Sequence, residues 1–313
     1  MHCLFLSTQD HAQADRRILA DYALVEWACM DRVLVIGATG NIGRQVVSQL
    51  ASRDVQVRAM TRKPDAAVLP PHVEVMRGDL TDPDTLDGCL HGIDTVFLVW
   101  TAPPAAIVPA LDLITKRARR IVLLSAPIKT PHPLFQQPNP RRVMVEQIER
   151  LIEISGVEWT FLRPGMFAAN ALGWWAPQIR VGDVVRWPYA DVPTAPIHER
   201  DIAAVAVHAL CENGHAGAEY VLTGPRSLTH AKQISTIGRA IGRSLRIEEV
   251  SPGEWRRERL PIWPATLVDM LLDAWAAAAG HAAFVTSAVA DITGAPAHTF
   301  FDWATDHVGE FRA

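Results

Sequence analysis

The apolar pattern along the chain changes period at residue 37. Val33, Leu34, Val35 and Ile36 are continuously apolar, which predicts a buried strand of a parallel sheet. Beyond this run, Ile42, Val46, Val47 and Leu50 recur at helical spacing. The same alternation continues downstream. Strands are predicted over 55–60, 73–76, 95–100 and 120–126 and at "EWTFLRPG", with helical patterns between them, and "AEYVLTG" is strand-like. In "PRRVMVEQIERLIEISG", Met144, Ile148, Leu151 and Ile152 form one stripe, leaving Glu146 and Glu149 on a solvated face with neighbouring arginines. "PIHERDIAAVAVHAL" predicts a helix opened by Asp201, with Ile202, Val205, Ala206 and Ala209 inward. The tail offers an amphipathic helix, "SLTHAKQISTIGRAIG", then strand-like "LRIEEVS", a helical region after Pro264, and a closing "FFDWATDHVGEF". Strands alternating with helices predict a doubly wound parallel sheet of the Rossmann type, with a small, mainly helical lobe.

Between the first strand and the first helix stand Gly37, Gly40 and Gly43. Glycines in a tight strand-to-helix turn let backbone approach a phosphate, and the helix start offers N–H groups and the positive end of a dipole. Gly37, Thr39, Gly40, Asn41, Ile42 and Gly43 are therefore expected around a dinucleotide pyrophosphate. The spacing is GxxGxxG, with Ala38 where the commoner GxGxxG has a glycine. Three glycines alone also suit a purely structural turn. The strand–turn–helix context favours the dinucleotide.

The second strand ends in "RAMTRKPD". An NAD site usually places an acid there for the ribose 2′-hydroxyl. Here Arg62 and Lys63 stand instead, and two cations suit a 2′-phosphate, so the expected cofactor is NADP(H). Arg44 is a candidate third cation. The competing reading is a solvated basic loop.

Composition narrows the partners. The chain has 313 residues, 49% hydrophobic and 20% charged, with a net charge of −4, which allows one large domain or two intimate ones. No long basic run points to nucleic acid. Cys3, Cys29, Cys89 and Cys211 lack metal-like spacing and read as reduced thiols of a cytoplasmic protein. No HExxH-like cluster occurs among the histidines, so no metal is expected. The most apolar late stretch, "DAWAAAAGHAAFVTSAVA", is broken by Gly280 and His281 and is no membrane span. The expected partner is a small molecule. Residues 1–30 read as an appended extension, with Met30 an alternative start. Residues 31–165 and 196–224 read as the nucleotide-binding domain, and 166–195 with 225–313 as the lobe.

After the sixth strand the chain is aromatic. Phe167, Trp174, Trp175, Trp187 and Tyr189 are expected to wall the cleft beyond the strand ends, suiting a flat, aromatic substrate. Lobe core is the competing reading for each tryptophan. Asn170 is a candidate for holding a substrate oxygen, against a local turn role. His198 reads as a surface histidine, with proton donation as the alternative.

At this point "VIGATGNIGRQVV", "RAMTRKPD", "GDLTDPDTL", "DTVFLVW", "VLLSA", "SGVEWTFLRPGMFAAN" and "ERDIAAVAV" together resemble the NmrA-like group of atypical short-chain dehydrogenases/reductases. The resemblance implies that Asp79 and Leu80 flank the adenine, that Val99 to Thr101 pass the cofactor ribose, and that Ser125 approaches the nicotinamide. It also exposes a departure. Typical short-chain reductases use a Tyr and a Lys four residues later, with a Ser, to protonate the substrate oxygen. The three tyrosines here are Tyr22, Tyr189 and Tyr220, and none begins such a motif. Relatives in this group either reduce quinones, enones and other carbonyls or sense NADP(H) as non-catalytic regulators. The expected function is reduction of a quinone, enone or polycyclic carbonyl, with Ser125 donating to the substrate oxygen; a redox-sensing regulator is the alternative. The missing pair argues against a sugar-nucleotide epimerase.

Overall fold

The computed structural model describes residues 32–312; the expectations placed on the extension, Cys3, Tyr22, Cys29 and Met30 lie outside them. The strands are β1 (Arg32–Ile36), β2 (Gln56–Thr61), β3 (Glu74–Arg77), β4 (Thr95–Val99), β5 (Arg120–Leu124), β6 (Glu158–Pro164), β7 (Val184–Trp187), β8 (Pro193–Thr194), β9 (Ala218–Leu222), β10 (Leu228–Thr229) and β11 (Arg246–Glu249). Seven of them form a parallel sheet in the order β3-β2-β1-β4-β5-β6-β9. β1 lies between β2 and β4, with Ile36 opposite both Met60 and Leu98. Strand order therefore reverses at β1/β4, and a crevice opens at their carboxyl ends.

The continuous apolar runs arise because helices cover both faces. Val33, Val35, Phe97, Val122 and Leu162 pack towards helices Asn41–Leu50 and Glu199–Cys211. Leu34, Ile36, Leu98, Ile121 and Phe161 pack towards Pro83–Leu90, Ile107–Arg117 and Pro140–Ile154. Strand ends differ from the expected bounds by a residue or two. Trp100, for example, leaves the ladder, and its indole donates to the Ala102 carbonyl at 2.8 Å.

A separate apolar cluster gathers Trp175, Trp187, Trp255, Trp275 and Trp303 with Ile234 and Ile237 of helix His230–Ile241. Two small ladders frame it: β7 with β11, parallel, and β8 with β10, antiparallel. Among the described residues no helix is long and apolar enough to cross a membrane.

Candidate active site

The turn after β1 is built by missing side chains. Gly37 has φ +83°, and a Cβ there would lie 2.9 Å from that of Val99. A Cβ at Gly43 would lie 2.1 Å from the Gly37 carbonyl oxygen, so only glycine lets the first helical turn pass over the strand end. The Gly40 N–H donates to the Gly37 carbonyl at 3.0 Å and closes the turn. Helix Asn41–Leu50 starts with no side-chain cap and no acid in its first turn. Its leading N–H groups and positive dipole end are left to an anion. Ala38, at the departure from the commoner spacing, is wholly buried in the core.

From this turn runs a groove of about 820 Å³. It brings Gly37, Thr39 and Gly40 together with Arg62 and Lys63, with Asp79 and Leu80, and with Val99 and Thr101. Arg62 and Lys63 are exposed, and among the described residues neither has an ion-pair partner. The Lys63 N–H donates to the buried Thr61 hydroxyl at 3.2 Å, which fixes the backbone carrying both cations. Asp79 accepts from the Thr81 N–H at 2.9 Å and hydroxyl at 2.8 Å, and these bonds hold its carboxyl below the usual range, helped by the charge of Arg62. Gly78 is squeezed between Met60 and Cys89, so the turn that presents Asp79 also needs glycine. Arg44 turns elsewhere, donating to Asn41 Oδ1 at 2.6 Å on the exposed side of the helix.

Around the turn lies a smaller recess of about 210 Å³, lined by Gly40, Asn41, Ile42 and Gly43, by Val99, Leu124, Phe167 and Ala169, and by one acid, Glu199. No sequence pattern marked Glu199. Burial would raise its carboxyl, but the neighbouring His198 ring and the hydrogen bond from His307 Nε2, at 2.9 Å, hold it far below the usual range. The expected surface position of His198 is corrected: it is 2% exposed. Its Nδ1 accepts the Arg200 N–H at 3.2 Å and caps helix Glu199–Cys211, while Nε2 faces Asp306 at 3.3 Å. Asp201 accepts from the His298 backbone and ring at 2.9 and 2.6 Å. Asp201, read as an ordinary dipole partner, also ties the C-terminal segment to the sheet domain, as does Glu199 through His307.

Ser125 follows β5, next to Leu124 of the recess. Its hydroxyl donates to Glu149 Oε1 at 2.5 Å. The expected solvated face for Glu149 is therefore corrected: the residue is 2% exposed. Its other oxygen accepts from Arg163 at 2.8 Å, with Lys129 at 3.9 Å. Arg163, itself buried, and Lys129 both reach Glu219, at 3.0 and 2.9 Å. Burial lifts the Glu149 carboxyl above its ordinary range, against the pull of Ser125, Arg163 and Lys129. The helical stripe itself is as expected, with Ile148 and Ile152 in the core. Glu149 escaped the periodicity because the strand-end arginine it meets lies 14 residues away. Helix Pro140–Ile154 carries neither tyrosine nor lysine. Tyr220 pairs with His215 at 2.8 Å, and Tyr189 packs on the lobe cluster.

Two aromatic expectations are corrected. Trp175 and Trp187 are wholly buried, edge to face at 5.6 Å, and Trp187 also packs on Trp255 and Trp275 at 5.1 Å. They are lobe core, because large rings gain most from complete burial. Phe167 lines the recess. Asn170 begins helix Asn170–Trp174, with its amide nitrogen 3.9 Å from Met166 Sδ, and Trp174 is half-buried.

Comparison with known proteins gives a consistent picture. Residues 37–213 match the model of a family described as NAD(P)H-binding. The (4-alkanoyl-5-oxo-2,5-dihydrofuran-3-yl)methyl phosphate reductase of Streptomyces griseus subsp. griseus is 37% identical over 89% of this chain and 99% of its own length. The NAD(P)H azoreductase of Xenophilus azovorans is 31% identical over 90% of this chain and 99% of its own. Among solved structures, the NADPH-dependent quinone oxidoreductase of Escherichia coli superposes with a TM-score of 0.72 at 22% identity, covering 88% of this chain and 98% of that one.

Proposed function

The chain belongs to the NAD(P)H-binding family, in the NmrA-like group of atypical short-chain dehydrogenases/reductases, and from that premise we propose that it is an NADPH-dependent reductase of conjugated carbonyls or quinones. The observation that carries the cofactor reading is the pair Arg62 and Lys63, exposed in the groove without ion-pair partners among the described residues, where an NAD enzyme keeps an acid. Unpaired cations at a strand end are well placed for a 2′-phosphate. The cradle suits the rest of the dinucleotide: a Cβ at Gly37 or Gly43 would strike Val99 or the Gly37 carbonyl, so only glycine closes this turn, and the uncapped helix start would face the pyrophosphate. Asp79 and Leu80 would flank the adenine; Val99 and Thr101 would meet the ribose. When bound, the cofactor supplies a hydride.

What the chain adds is position and charge. The apolar walls Val99, Leu124 and Phe167 exclude water from the recess. The ionised Glu199 in the recess would favour a cationic, oxidised nicotinamide over the neutral reduced ring, which would aid transfer towards substrate. An isolated ketone would yield a basic alkoxide and call for a positioned acid, whereas a quinone or enone yields a delocalised oxyanion. Absence of the Tyr–Lys pair from helix Pro140–Ile154 thus supports conjugated acceptors. The Streptomyces griseus relative is named for a substrate of that kind, a dihydrofuranone with its carbonyls conjugated to a ring double bond. Phe167, Asn170 and Trp174 are the residues proposed to meet a flat substrate; of the residues read as lobe, Ala288–Thr293 packs instead on the sheet domain with helix Glu199–Cys211.

The test is a titration with NADPH, NADP⁺ and NADH, followed by NADPH consumption with menadione, cyclohexenone and cyclohexanone. The reading expects tighter NADPH than NADH, and faster turnover of the first two acceptors than of the third. Efficient cyclohexanone reduction would show a catalytic donor elsewhere. Binding without any turnover would favour a redox sensor.

A further inference from the structure

The proposed reaction still consumes one proton per hydride, and the residue pair that usually delivers it is missing. We propose that Ser125 and Glu149 form a proton-delivery dyad, in which Ser125 is the group that meets the substrate oxygen and Glu149 is the buried proton reservoir behind it. The proposal rests on the reductase reading.

The geometry supplies each part. Ser125 follows β5, directly after Leu124 of the recess in the chain, and is only half-buried, while Glu149 has almost no exposed surface. Of the two, Ser125 alone can touch a ligand. Their 2.5 Å hydrogen bond joins them into one titrating unit. The groups that face Glu149 come from every neighbouring element: Ser125 after β5, Lys129 on the following loop, Arg163 on β6, and Glu219 on β9 through both cations. Lys129 is half-exposed and sits 3.9 Å from Glu149, so it marks the path from solvent. Structural duty alone would be met by the Glu149–Arg163 pair; the hydroxyl attached to it at the strand end needs a further reason.

The steps balance. Hydride arriving at the electrophilic carbon of the substrate brings two electrons and places negative charge on the conjugated oxygen. The Ser125 hydroxyl, which donates to Glu149 Oε1 at rest, turns to that oxygen, and its O–H bond breaks as the proton is handed over. The Glu149 carboxyl proton passes to Ser125 Oγ, and the carboxylate left behind is held by Arg163 and Lys129 until solvent returns a proton. Net, one substrate, one NADPH and one proton become one reduced product and one NADP⁺. Glu149 acts through Ser125, so it is a positioning residue, and only its protonated form delivers. Burial keeps that form present to higher pH than for an ordinary carboxyl, and the rate should fall as pH rises through the titration.

The test compares the native protein with Glu149→Gln, which keeps the shape and a hydrogen-bonding partner for Ser125 but cannot titrate, and with Glu149→Asp. NADPH affinity, read by fluorescence titration, should stay within about twofold. With cyclohexenone, kcat of Glu149→Gln should fall by about 10²-fold, the lower end for a positioned acid; its pH dependence and its solvent deuterium isotope effect should vanish. Glu149→Asp should restore part of both. Menadione reduction should fall less, because its oxyanion waits for solvent. If Glu149→Gln does not fold, Ser125→Ala with the same pH and isotope readings decides. Native turnover with an unchanged pH profile and isotope effect in the variants overturns the dyad alone. No native turnover with any acceptor overturns the reductase reading, and the dyad with it.

Discussion

Two regions at the carboxyl ends of the strands handle charge in opposite ways. At the end of β2, Arg62 and Lys63 stand in solvent without ion-pair partners among the described residues. At the ends of β5 and β6, Glu149 and Arg163 are buried against each other, with Ser125, Lys129 and Glu219 completing the set. An exposed cation costs little to leave unpaired, so it can wait for a ligand's phosphate. A buried charge must be satisfied by the protein itself, since desolvation is repaid only by good geometry. The first arrangement suits binding a charge that arrives from outside. The second suits holding a group in place and moving its titration.

This contrast can be broken at several points. The largest effect is expected at the buried end. Arg163→Leu strands the Glu149 carboxylate and should cost about 3–5 kcal/mol of stability, read by chemical denaturation. Adding Glu149→Leu should recover most of it. A single variant as stable as the native protein would show that the pair carries no such weight. Next comes the glycine turn after β1. Gly43→Ala puts a methyl against the Gly37 carbonyl and should weaken NADPH and NADH alike by about 100-fold, or about 3 kcal/mol. Unequal losses would mean that the turn does more than seat the common pyrophosphate.

The exposed end should respond selectively. Arg62→Ala should weaken NADPH by about 1.5–3 kcal/mol, the worth of a hydrogen bond to a charged group, and leave NADH nearly unchanged. Rising salt should shrink the difference, because the site is open to solvent. Equal weakening of both cofactors would remove Arg62 as the phosphate ligand. The smallest effect is expected at the hydroxyl. Ser125→Ala should slow quinone reduction by about 10-fold, near the worth of one hydrogen bond, without changing NADPH affinity. A changed affinity would place Ser125 in cofactor binding instead.

Much of this was legible in the chain itself. The apolar runs of β1, β4 and β5 announced strands covered on both faces, because a parallel sheet leaves no polar side to write into the alternation. The glycines announced their turn, since missing side chains are a property of the residue and not of its surroundings. Arg62 and Lys63 could be placed by counting from those glycines, because one strand–helix–strand unit has nearly fixed dimensions. The chain also declared what it lacks, a tyrosine and lysine on helix Pro140–Ile154.

Only the tertiary structure decided the rest. Glu149 sits on the polar side of its own helical stripe, and nothing local says that β6 will bring an arginine against it. His198 caps and Glu199 opens an ordinary helix, and their burial depends on Asp306 and His307, more than a hundred residues on. Trp175 and Trp187 were as eligible for a cleft wall as for a core until the remote helices carrying Trp255 and Trp275 closed over them. The reason is common to all three. Period and composition report what a residue prefers within its own element, whereas burial and pairing are set by which distant element arrives on top of it, and long-range packing leaves no periodic trace in the sequence.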